Sequence, residues 1–475
     1  MCIRDSLPTQ KAGIFSLFGL AGLSSISEET IADDSETLVR DTEFESDLGA
    51  IGLNHTYLFN NSTYQKTSIS LTRNGSGWDS SDLWSNGQLT PSSKSEFIRY
   101  NTRAFTSFNK KVNSRNTLNA GAGVTFMNYD LEWNEREENG SADTRINDDG
   151  RSSYLQSYLN WKHRFTEDLS VVSGLHFIYF TLNNTYSVEP RISASWSVRK
   201  IHTFSAGFGL HSRLEMLGNY MANITDESGN VSQANKDLEI PKSMHFVAGY
   251  DFRYSENAHM KIEAYYQDLF DIGVEDDPSS SYSLINQVDG ISDRTLVSEG
   301  DGFNYGVELT LERFFANNYY YLVTASVFES KYRTLENIWR RGRFSNGYIG
   351  NLLVGKEFKV GDPSKHKSLS IDLKFTLMGG NRYTPVNEEL SMILGEEVLY
   401  EDRPYSVQGD DIFIANISGR YKKNNPRTTH ILKFEIVNAT NNAAVTGEYY
   451  DGDLNRVEQS TQLEMIPNIM YVLQF

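Results

Sequence analysis

The chain has 475 residues with 62 acidic against 44 basic side chains, a formal net charge of −18, which argues against nucleic acid as a partner because phosphate binding calls for a basic patch. Hydrophobic residues at 39% and charged residues at 22% exclude disorder, and no run approaches the ~20 apolar residues a spanning helix needs. Aromatics at 12% favour strands, and the lone cysteine, Cys2, excludes an internal disulfide framework.

The first six residues, MCIRDS, resemble neither a targeting signal nor a strand and read as foreign to the protein. KAGIFSLFGLAGL (11–23) opens with Lys11 before an apolar run, as a signal peptide does. Asp5 and Pro8 precede it and no A-x-A-like site follows, so it reads as the first strand.

From there the dominant pattern is period-2 alternation. In FNYGVELTLERF (303–314), Phe303, Tyr305, Val307, Leu309 and Leu311 share one face, and Asn304, Gly306, Glu308, Thr310 and Glu312 the other. HMKIEAYYQDLF (259–270) and SLSIDLKFTLM (368–378) repeat it. About 18 such segments follow one another, near 11–24, 47–59, 64–73, 95–108, 115–131, 152–165, 169–182, 189–198, 203–212, 243–254, 259–271, 303–314, 319–332, 346–359, 368–382, 410–422, 428–440 and 461–475. Ten residues at ~3.3 Å each, tilted about 45°, rise roughly 23 Å, close to the apolar band of an outer-membrane barrel.

Short turns alternate with long loops. The turns are 60–63, 109–114, 165–168, 199–202, 255–258, 315–318, 360–367 and 422–427. The loops are 25–46, 74–94, 132–151, 213–242, 272–302, 333–345, 383–409 and 441–460, with 183–188 a brief exception. Short turns at one rim and long loops at the other is the layout of a transmembrane β-barrel, so an all-β, antiparallel barrel is expected. Loops 25–46, 132–151 and 272–302 together hold 22 acidic against 5 basic residues, which puts most of the net charge at the outer rim.

Motifs of bond chemistry fail on inspection. GNLLVGKE (350–357) has Glu357 where a phosphate-binding loop needs Ser or Thr, and it lies in an alternating strand. YDGDLNRVE (450–458) places Asp451, Asp453 and Asn455 at calcium-loop spacing, but Arg456 and Gln462 occupy the glycine and glutamate positions. The nine histidines show no HExxH and no i,i+4 pair, and G-x-S-x-G is absent. No catalytic group, metal site or cofactor is expected. Trp78, Trp84, Tyr220 and Trp339, in the long loops, are the candidate ligand platforms, set against a role as interface-belt or loop-packing aromatics.

Five stretches carry a family resemblance: 207–217, 235–272, 306–333, 380–387 and 430–441. With the terminal IPNIMYVLQF (466–475) they resemble the barrel of TonB-dependent outer-membrane receptors, particularly the kind with a carboxypeptidase-regulatory-like amino-terminal domain. The resemblance covers about residues 7 to 475 and implies receptor-mediated, TonB-coupled uptake of a scarce solute such as an iron chelate, cobalamin, an oligosaccharide or a peptide. It implies as partners outer-membrane lipid, the barrel-assembly machinery, TonB with its inner-membrane energising proteins, and a surface lipoprotein. Tyr471, Leu473 and Phe475 match the family's terminal assembly signal.

Such barrels have 22 strands, a plug domain and a TonB-engaging segment. With about 18 strands and none of the rest legible, the expectation is the carboxy-terminal portion of such a receptor. The alternatives are a porin-like passive channel and a surface-binding structural barrel.

Overall fold

The computed structural model describes residues 2–9, 11–31, 37–84, 86–136, 140–225, 228–287, 291–362, 366–452 and 454–475, the first four without their side chains. Asp453 and the acidic residues at 33, 34, 36, 137, 138 and 289 lie outside the described residues. No described helix is long and apolar enough to cross a membrane, which says nothing of strands.

Among the described residues, one antiparallel sheet of 20 strands contains every expected segment. In chain order it runs Cys2–Thr9, Gly13–Ile31, Leu38–Asn60, Thr63–Leu83, Leu89–Lys111, Asn116–Arg136, Ala142–Arg164, Leu169–Phe180, Thr185–Val198 and His202–Ser212. It continues through Lys242–Ser255, Ala258–Glu275, Leu296–Ala316, Tyr319–Arg333, Tyr348–Lys359, Lys367–Met378, Ile412–Asn424, Thr429–Val437 and Ile466–Gln474, with the two-residue Arg340–Arg341 as a side piece. Each long strand pairs with the next in sequence, a meander throughout. Residues 11–23 are strand, as the alternation predicts, and GNLLVGKE is ladder-bonded on both sides.

Two expectations need correction. Cys2–Thr9 forms a strand against Gly13–Leu20, a pairing set by backbone bonds that the side-chain pattern of MCIRDS does not announce. The loops at 25–46, 74–94 and 132–151 are largely strand: the three hairpins run on to Ile31 and Leu38, Leu83 and Leu89, and Arg136 and Ala142. The physical reason is that above the apolar band both faces of a hairpin meet water. Polar residues then occupy both faces, and the period-2 signal ends while the backbone ladder continues. A 23-residue strand tilted about 45° rises roughly 54 Å, well beyond the band.

The tight ends use turn chemistry. Asn317 and Asn318 both take positive φ, 56° and 66°, as a two-residue hairpin of right-handed twist requires. On the outer face, apolar side chains such as Leu53, Leu71, Phe126, Leu159, Ile192, Val307, Val327 and Phe434 stand exposed. Water would not tolerate so continuous an apolar surface on a dispersed protein, whereas lipid accepts it.

The inner face is polar and cross-bonded. Thr376 Oγ1 donates to Asn351 Oδ1 (2.8 Å), and Tyr320 donates its hydroxyl proton to Asp372 Oδ1 (2.8 Å). Buried Glu189 accepts from Arg191 Nη2 and Ser212 Oγ (both 2.5 Å), with His176 Nδ1 2.9 Å away. Glycine recesses admit rings on this face: Phe105 and Tyr158 stack across Gly121 and Gly123.

Candidate functional site: the long-loop mouth

At the long-loop end, chain segments fold inward and cover the inner wall. The 213–241 connection carries a short helix, Leu217–Met221, all of whose residues are buried. Tyr220, Met221, Leu238 and Ile240 pack against Tyr129, Leu131, Ile146, Ile178 and Phe180 of the wall. This is the main apolar cluster among the described residues, and it belongs to the mouth rather than to a domain interior.

Buried asparagines pin the inward segments. Asn219 Oδ1 accepts from the Ser292 amide (3.0 Å), and Asn235 Oδ1 accepts from Leu296 N (2.8 Å). The Asn235 amide also donates to Arg294 O (2.9 Å), and Asn286 Oδ1 accepts from Arg343 N (3.0 Å). Each buried backbone group so satisfied avoids a penalty of about 1–3 kcal/mol. Outside this core, Arg145 bridges Glu135 (2.9 Å), Asp143 (3.1 Å) and Asp293 (3.2 Å), tying a hairpin tip to the 276–295 connection.

A second lobe joins the 379–411 and 438–465 connections. Val386 N donates to Glu448 Oε1 (2.7 Å), and Tyr450 N to Glu397 Oε2 (3.1 Å). In the 450–458 stretch, Asp451 Oδ1 accepts from Leu454 N (3.0 Å) and Asn455 Oδ1 from the Tyr450 hydroxyl (2.5 Å), so these oxygens close a hairpin.

The four candidate aromatics do not converge. Trp78 sits on the inner wall, 5.5 Å edge-on from Trp133 and 5.9 Å from Phe97, its indole nitrogen donating to Ser93 Oγ (3.2 Å). Trp84 is at a hairpin tip, its carbonyl accepting from Gly87 N (2.8 Å). Tyr220 is fully buried against Phe180. Trp339 packs at a tilt against Phe303, whose neighbour Tyr305 lies on the outer row, and under the Arg333 guanidinium, 4.9 Å from its ring centre.

Trp133 and Phe97 were not singled out by the sequence. Their signal is register: Trp78 faces Ser95, and Ser95 faces Trp133, once the ladder is continued above the membrane. Trp133's buried Nε1 has no hydrogen-bond partner among the described residues. On the opposite, outward face of the same strands lies a cleft of about 630 Å³ lined by Asp47, Arg73, Lys94 and Glu96, with Arg73 and Asp47 paired. Two further cavities lie along the inner face: one of about 540 Å³ with Glu263, Gln267, Asn304 and Glu308, and one of about 520 Å³ with His211, Arg213, Glu215 and Lys242. The mouth therefore offers flat aromatic surface above a polar inner face, the means of holding a compact polar solute with a planar part.

The titratable groups here follow burial. Burial pushes the Glu215 carboxyl above its ordinary value, against the opposing pull of Arg213, the Met216 amide and Asn219. Burial likewise raises the Tyr220 hydroxyl.

Comparison with known proteins places this architecture. A search of curated proteins gives no match. Among solved structures, the chain resembles the siderophore receptor PiuA from Acinetobacter baumannii, at 10% identity and TM-score 0.68, over 99% of this chain and 73% of that one. It also resembles BauA, the ferric preacinetobactin receptor of the same organism (11%, TM-score 0.65, 99% and 71%). The ferric yersiniabactin uptake receptor FyuA from Yersinia pestis is similar too (11%, TM-score 0.60, 100% and 77%). At such identities the likeness establishes fold. The sequence itself matches the description "TonB dependent receptor-like, beta-barrel" over residues 9–443. The chain belongs to that family, the TonB-dependent receptor β-barrels of the Gram-negative outer membrane.

Proposed function

We infer that this chain is the barrel portion of a receptor that captures a scarce solute at the cell surface and imports it with energy from TonB. The observation that carries the reading is the mouth: inward-folded, asparagine-pinned segments beside the Trp78–Trp133–Phe97 wall, above a polar inner face. An open diffusion pore has no use for such a cover, which weighs against the porin-like alternative. No catalytic role is assigned to any residue.

Both edge strands, Cys2–Thr9 and Ile466–Gln474, pair on one side only among the described residues. Unpaired backbone groups are costly in lipid, so strands from outside this sequence would meet them and complete a barrel of about 22. A plug domain that engages TonB belongs to the same proposal, as does the non-native origin of residues 1–6. Ile469, Tyr471 and Leu473 share the outward row of the last strand, and Phe475 ends it fully exposed, which supports recognition by the barrel-assembly machinery. A surface lipoprotein over the mouth is the remaining expected partner.

PiuA, BauA and FyuA are each named for a siderophore or a ferric chelate, so ferric chelates head the panel of solutes, ahead of cobalamin, oligosaccharides and peptides. The test is accumulation of labelled solutes in cells with and without the intact gene, in TonB-positive and TonB-negative backgrounds. One solute class should accumulate only when both are present. Uptake that needs the gene but persists without TonB would establish a passive channel instead.

A further inference from the structure

At the short-turn rim, two cations stand on the outer row of the sheet. Arg313 follows Val307, Leu309 and Leu311 on the lipid-facing side of its strand, and register places it against Tyr321. The next residue along that row, Tyr319, lies against Lys356 of the following strand. The Arg313 guanidinium covers the Tyr319 ring at 4.4 Å, and the Tyr254 and Tyr321 hydroxyls meet at 2.7 Å beside it. Lys356 lies 5.2 Å over Phe358.

Neither cation has an ion-pair partner among the described residues, and Arg313 Nε is buried without any hydrogen-bond partner. The nearby acids are engaged or turned away: Glu312 and Glu357 face inward, to His259 and Ser368, while Glu256 is exposed in the turn. Two unpaired cations in the lipid-facing belt call for an anion at the depth where headgroups begin.

The geometry points to a binding site for the phosphate of an anionic phospholipid of the inner leaflet, built from Arg313 and Lys356, with the hydrogen-bonded Tyr254–Tyr321 hydroxyl pair offering its one free proton as a further donor. Arg313 supplies a planar fork for phosphate oxygens, Lys356 a point charge, and the Tyr319 ring supports the guanidinium from one side. The short-turn rim is periplasmic in barrels of this layout, so the lipid is a phospholipid and not lipopolysaccharide. The assignment rests on the outer-membrane placement but not on the solute carried.

The experiment is native mass spectrometry of the purified full-length receptor released from mixed phosphatidylglycerol and phosphatidylethanolamine bilayers, with heat-modifiable electrophoretic mobility as the folding check. The wild type should retain phosphatidylglycerol in preference, and Arg313→Gln with Lys356→Gln should lower that retention roughly tenfold. A double variant Tyr254→Phe, Tyr321→Phe keeps the rings and should lose part of the preference while folding normally. Equal retention of the two lipids by the wild type, preferred retention of lipopolysaccharide, or unchanged retention in a folded variant of either kind would overturn the site. If solute uptake fails while the lipid preference holds, the receptor reading is at fault and this site stands.

Discussion

Glu215 is where the packing of the mouth meets titration. Burial raises its carboxyl in the folded chain above the unfolded value near 4.5, so the folded state holds the proton more tightly. A raised acid contributes stability that is full below the unfolded value and is lost as pH rises through the folded one. The 213–241 segment should therefore loosen as pH climbs from about 4.5, and Glu215→Gln, which stays neutral, should flatten that dependence. Amide exchange of Leu217–Met221 across pH 4 to 8 reads it out. A wild-type segment equally protected at every pH would contradict the account. The pinning asparagines nearby, Asn219, Asn235 and Asn286, were invisible to sequence reading. An asparagine in a polar loop looks the same whether it faces water or satisfies a buried amide, and only the fold distinguishes the two.

Strands were the most legible part of this molecule, because lipid on one side and polar contents on the other enforce alternation. Each of the 18 expected segments corresponds to a strand. What escaped was the chain above the band, where Thr42, Glu43, Phe44 and Glu45 pair with Ser80 through Gly77 without any apolar row to betray it. Close packing within the sheet is a second feature that only coordinates reveal. A methyl group at Gly123 would lie 2.7 Å from Ala104 O and 2.5 Å from the Phe105 ring, whereas one at Gly419 would meet nothing within 4 Å. Gly123→Ala should cost about 1–3 kcal/mol by overpacking, and Gly419→Ala less than about 0.5 kcal/mol. Denaturant midpoints in detergent, or the temperature at which electrophoretic mobility shifts, compare the two. Equal stability of both variants would argue against the Phe105–Tyr158 stack over this recess.

On the scale of the whole molecule, charge and function divide along one axis. Acid gathers in the long loops, and arginine and lysine with aromatic rings mark the short-turn rim. The sequence showed the acid of the long loops and the family resemblance, but it could not say which of its loop aromatics form one surface. Trp78 joins Trp133 because two ladders continue past the membrane, Tyr220 becomes loop core, and Trp339 joins the outer belt with Phe303. The central claim is that solute binds at the inner aromatic wall. It is tested most directly by equilibrium binding of the solute identified by TonB-dependent uptake to purified receptor carrying Trp78→Ala, Trp133→Ala or Trp339→Ala. Truncating a central aromatic anchor costs about 2 kcal/mol or more, so Trp78→Ala and Trp133→Ala should each weaken binding roughly thirtyfold, and Trp339→Ala should leave it within about twofold. Unchanged affinity in the two wall variants, with a loss confined to Trp339→Ala, would contradict the account and move the site to the outer face.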